Sequence, residues 1–103
     1  MAKVTWSNPA IEDLYRIQLY YADAAPAFGK KLVAQIVARS HQLEEFPEMG
    51  RLVPEFDDGF TRELITGSYR LIYRLRGGQP VVVEVARVHP SALPLTNLNE
   101  SLG

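Results

Sequence analysis

The stretch from Tyr69 to His89 contains two β-rich runs joined by Gly77-Gly78, and it imposes a hairpin that the rest of the chain must cover. Paired glycines tolerate the positive φ of a tight two-residue turn. Alternation along the first run puts Arg70, Ile72, Arg74 and Arg76 on one face and Tyr69, Leu71, Tyr73 and Leu75 on the other. On the second run Val81, Val83, Val85, Arg87 and His89 share a face, opposite Val82, Glu84, Ala86 and Val88. Neither run is wholly polar on either side. Both are therefore expected to be inner strands, with charge gathered near one end.

The segments before the hairpin supply its cover. Lys3 to Ser7 alternates as a short first strand, and Asn8-Pro9 offers a helix start: Asn8 as the cap, Pro9 with its φ preset, Glu12 and Asp13 toward the positive end. This helix is expected to reach about Ala24, with Ile11, Leu14, Ile17 and Tyr21 on a core-facing stripe that Tyr15, Leu19 and Tyr20 widen. Pro26 opens a second helix, expected to run to about Phe46 before Pro47 and to bury Phe28, Leu32, Ile36, Leu43 and Phe46. The short link predicts an antiparallel helical hairpin. Leu52 to Phe56 is expected to be extended at a sheet edge and Phe60 to Thr66 to form a strand, while the tail from 90 to 103 has two prolines and no period. Helices followed by strands predict an α+β fold: a helical hairpin on one face of a small, mostly antiparallel sheet, in the order β-α-α-β-β-β, as a single domain over 1–89.

Composition narrows the chemistry. With no cysteine and two histidines, His41 and His89, the chain has no thiol chemistry and little for a metal centre, so neither metal nor cofactor is expected. His41 has no nearby ligand or nucleophile in its helix and reads as a surface or boundary histidine. No apolar run approaches the roughly 20 residues of a membrane span, and the first residues lack a signal peptide's apolar segment, so a cytoplasmic protein without membrane contact is expected. The net charge of −1 hides an uneven distribution. Residues 44–58 carry six acids against Arg51 alone, whereas residues 62–87 carry five arginines against Glu63 and Glu84. Arginines of this kind suit phosphate or carboxylate, and Arg62, Arg74 and Arg87 are candidates for contacts to a target. The near-neutral total argues against strong non-specific nucleic-acid binding.

One constellation carries possible chemistry. If the last strands pair as consecutive hairpins, Arg70 and the Arg87/His89 end fall at the same end of the sheet, within reach of Glu55. An acid, an arginine and a histidine are what metal-free RNA cleavage needs: a base for the 2′-hydroxyl, a cation for the phosphate and an acid for the leaving oxygen. Solvated charge on a strand face is the commoner use of such residues. Tyr69 and Tyr73, which could stack on bases, are expected instead to be core.

Several pieces occur in a recognisable order: Ala10 to Ile17, Phe46-Pro47-Glu48-Met49-Gly50-Arg51, Arg62-Glu63-Leu64-Ile65, Ser68 to Arg74 and Val85 to His89. In order and spacing they resemble the RelE/ParE superfamily, toxins of bacterial type II toxin–antitoxin (plasmid stabilisation or addiction) modules. The resemblance implies growth arrest, a cognate antitoxin and a homodimer or toxin–antitoxin hetero-oligomer. It also implies one of two targets. ParE-like members inhibit DNA gyrase, whereas RelE- and YoeB-like members cut mRNA on the ribosome with a Glu, an Arg and a His that here fall on Glu55, Arg70 and His89. A tyrosine normally follows that histidine, where this chain has Pro90, and Thr61 and Glu63 stand near positions of RelE lysines. The incomplete nuclease set makes a ParE-like gyrase inhibitor the leading expectation and an mRNA endoribonuclease the alternative.

Overall fold

The computed structural model describes residues 2–88; His89 and the tail expected to be irregular lie outside the described residues. Within them the order is β1 (Thr5–Trp6), α1 (Asn8–Tyr21), α2 (Pro26–His41), a 3-10 turn (Gln42–Glu44), β2 (Arg51–Leu52), β3 (Arg62–Thr66), β4 (Tyr69–Arg76) and β5 (Gln79–Arg87). Five strands form one sheet in the order β1-β5-β4-β3-β2, antiparallel except for the β1–β5 pair. The β4 and β5 strands are inner strands, and Gly77 and Gly78 turn between them with φ of 58° and 80°. That is the α+β helical-hairpin architecture expected.

The core lies between the hairpin and one sheet face. Ala10, Ile17, Leu32, Ile36 and Leu43 pack with Leu64, Tyr69, Leu71, Tyr73, Val82 and Val85. Burying side chains of this size stabilises the fold by about 1.5–3 kcal/mol each before chain entropy is counted. The expected face of β5 is wrong in part: Val82 and Val85 both reach the core, because a bulge between the Tyr73–Val82 and Ile72–Glu84 pairs adds one residue and inverts the alternation.

The helices also differ from expectation. Ser7, not Asn8, caps α1: its Oγ accepts from the Ala10 N–H at 3.2 Å, while its own N–H donates to Val82 O at 2.9 Å. Pinning Ser7 to the sheet starts the helix one residue early and leaves Glu12 and Asp13 beyond its first turn. Asp13 instead accepts from the Val85 N–H at 2.9 Å, satisfying β5 where β1 has ended. α1 stops at Tyr21 rather than near Ala24, and α2 stops at His41, tightening into the 3-10 turn ahead of Pro47. Ile11, Tyr15, Leu19, Tyr20, Phe28 and Phe46 are exposed. The apolar stripe of each helix is broader than the surface the small sheet can cover.

After β2 the chain does not stay extended. Pro54 has no N–H to donate, and Phe56 N–H closes a turn on Val53 O at 3.2 Å. Asp58 then accepts the N–H groups of Phe60 and Thr61, both at 2.9 Å, delaying β3 to Arg62.

Candidate functional site

The sheet face turned away from the helices is built by the register of β2, β3 and β4. Arg51 pairs with Glu63, Glu63 with Ile72, and Ile65 with Arg70, so Arg51, Glu63, Arg70 and Arg74 project to this side. Glu63 has a fully buried side chain. It accepts from Arg51 Nε at 2.5 Å and from Arg70 Nη1 at 3.0 Å. The turn after β2 brings Glu55 over the same face, where it meets Arg70 Nη2 at 2.7 Å. Arg70 is thus clamped between two carboxylates of its own chain. The guanidinium donates to Glu55 and so holds that carboxyl below its ordinary range, and the same contact raises Arg70.

Beside this clamp, Arg74 Nε donates to Thr61 Oγ1 at 2.9 Å and its guanidinium lies 5.6 Å and 5.8 Å from the Phe56 and Phe60 ring centroids. Asp58, which organises that loop, has its carboxyl lowered to about 2, chiefly by the Thr61 hydroxyl.

Of the catalytic candidates, the structure brings Glu55 and Arg70 together, and His89 lies outside the described residues; Arg87 pairs with Tyr69, beside Arg70 at the same end of the sheet. The three arginines expected to meet a target do not form one patch. Arg62 donates to Gly50 O at 2.7 Å and Glu48 O at 3.2 Å, inside the turn before β2. Arg87 lies on the helical side, 5.2 Å from the Tyr69 ring and 5.7 Å from that of Tyr20. Only Arg74 shares the open face with Arg70. Sequence reading missed Glu63 as the centre of this face. The available signal was an acid in the middle of an apolar strand that had to pair with an arginine-bearing one. Among the described residues no group of three or more His, Asp or Glu side chains could hold a metal ion, and no helix is long and apolar enough to cross a membrane.

A helical hairpin laid on one face of a small, mostly antiparallel sheet, with an arginine and carboxylates on the other, defines a RelE/ParE-type toxin fold. The family model described as the ParE toxin of the type II toxin–antitoxin system parDE matches residues 4–92, and the chain belongs to that family. A chain of the chromosomal ParDE system from P. aeruginosa is similar in structure, with a TM-score of 0.73 and 23% identity over 86% of this chain and 98% of that one. A chain of the RelBE2 toxin–antitoxin complex from Mycobacterium tuberculosis has a TM-score of 0.60 and 21% identity over 84% and 96%. At such identities the likeness is one of fold. No curated protein sequence matches significantly.

Proposed function

We propose that this ParE-family toxin arrests bacterial growth by binding DNA gyrase, and that a cognate antitoxin holds it harmless. The observation that carries this reading is the occupancy of Arg70, whose two carboxylate partners belong to the chain itself. A ribonuclease needs such a cation on the scissile phosphate and a base able to take up the 2′-hydroxyl proton. Here the guanidinium is already engaged, and a lowered Glu55 is a weaker base. The family match supports the same side. Arg74 and Arg87 are proposed contacts to the target, whereas Arg62, engaged within its turn, supports the fold.

The names of both similar structures are those of toxin–antitoxin systems, which supports an antitoxin partner here. α1 turns Tyr15 and Leu19 outward, and with Pro26 and Lys30 they line a groove of about 400 Å³ that suits an amphipathic segment of that antitoxin.

A second reading draws on the placing of Glu55 beside Arg70 on one open face: an mRNA endoribonuclease working on the ribosome, with Glu55 as base, Arg70 freed onto the phosphate and His89 as acid. Induction in bacteria separates the two. Gyrase binding is expected to cost plasmids their negative supercoils, visible on chloroquine gels, before transcripts fragment. Fragmented transcripts that disappear with Arg70→Ala, at unchanged plasmid topology, would replace it with the nuclease.

A further inference from the structure

The turn between α2 and β2 presents a feature that neither folding nor the Arg70 clamp uses. Phe46 and Met49 stand out of it, 58% and 40% exposed, and with Glu45, Glu48 and Leu75 they line an open notch of about 530 Å³. A large exposed aromatic side chain is ordinary on a mobile loop. This turn is fixed.

Its backbone is held from beneath at four points. The buried Tyr73 hydroxyl donates to Pro47 O at 2.7 Å and accepts from the Gly50 N–H at 2.9 Å. Arg62 donates to Gly50 O and to Glu48 O, and the turn closes on itself through the Met49 N–H, which donates to Phe46 O at 3.1 Å. A side chain at Gly50 would come within 2.7 Å of Glu63 O and of the Tyr73 ring, so only glycine lets the turn sit this close to the sheet. Two apolar anchors on a pre-ordered backbone lose little entropy on binding, and that is how interface hot spots are built. Both titratable residues lining the notch are glutamates, Glu45 and Glu48, and both are exposed.

We propose that this notch is a contact with gyrase, taking an apolar side chain flanked by lysine or arginine. An enzyme that holds DNA presents basic surfaces for phosphate, and Glu45 and Glu48 complement such a surface. The proposal rests on the gyrase reading above. It adds the contact region that Arg74 and Arg87, on opposite faces of the sheet, do not define.

The test is supercoiling of relaxed plasmid by purified gyrase, titrated with wild type, with Phe46→Ala/Met49→Ala and with Glu45→Lys/Glu48→Lys, each checked for an unchanged thermal midpoint. Because the four side chains are exposed, the variants are expected to fold. Each pair should raise the concentration for half inhibition by about tenfold or more, and raising salt should weaken wild type more than the lysine variant. Wild-type inhibition matched by both variants would overturn the notch and leave gyrase as the target. Wild type without effect on gyrase would overturn both.

Discussion

The Glu63 side chain is fully buried, and its carboxylate is paired with both Arg51 and Arg70. Removing one member of a buried pair costs more than the pair is worth, because the remaining charge stays desolvated. Arg70→Ala is therefore expected to destabilise the fold by about 3 kcal/mol, toward the lower end for a buried pair because Arg51 remains. Urea denaturation measures it; a change below about 0.5 kcal/mol would show that the clamp is dispensable. Asp58 gives a pH test. Its carboxyl falls from an ordinary 3.8 to about 2 in the fold, so its stabilisation is fully present above the unfolded value and is lost as pH falls through the folded one. The melting-temperature gap between wild type and Asp58→Ala should hold at neutral pH and close between about pH 4 and pH 2. A gap that persists below pH 2 would assign the effect to packing. At this scale the sequence was readable in kind. An acid near Arg70 was expected, but Glu55 alone was named, since burial of Glu63 depends on β2 and the following turn covering the face.

Among the elements, the most legible was the β4–β5 hairpin, whose two glycines permit few other turns. Its bulge was not legible, because Val81, Val82 and Val83 are alike and no side chain says which faces the core. The helix faces were misjudged for a related reason. The apolar stripes of α1 and α2 are broad, so period alone could not separate the buried Ile17 and Ile36 from the exposed Tyr15 and Phe28. One hydroxyl, that of Tyr73, makes two of the contacts that hold the turn before β2. Tyr73→Phe keeps the ring but leaves the Gly50 N–H and Pro47 C=O without that partner, at an expected cost of about 1–3 kcal/mol. Hydrogen exchange should show the Gly50 amide opening faster while the β4–β5 ladder stays protected. Uniform loss of protection would mean that Tyr73 acts through the whole core.

For the whole molecule, two unlike faces lie on either side of one sheet: a helical hairpin with outward apolar side chains, and a face whose central arginine is occupied by its own carboxylates. Fold and family could be read from the order of the motifs, since helices followed by strands leave few ways to cover a hairpin. The choice of target could not, because Glu55, Arg70 and His89 serve either reading until the partners of Arg70 are known. Binding in place of cleavage is the central claim. Its most direct test sets two assays side by side with the same purified protein: supercoiling of relaxed plasmid by gyrase, and cleavage of mRNA on programmed ribosomes. The account predicts inhibited supercoiling and intact mRNA; cleaved mRNA beside fully active gyrase would contradict it.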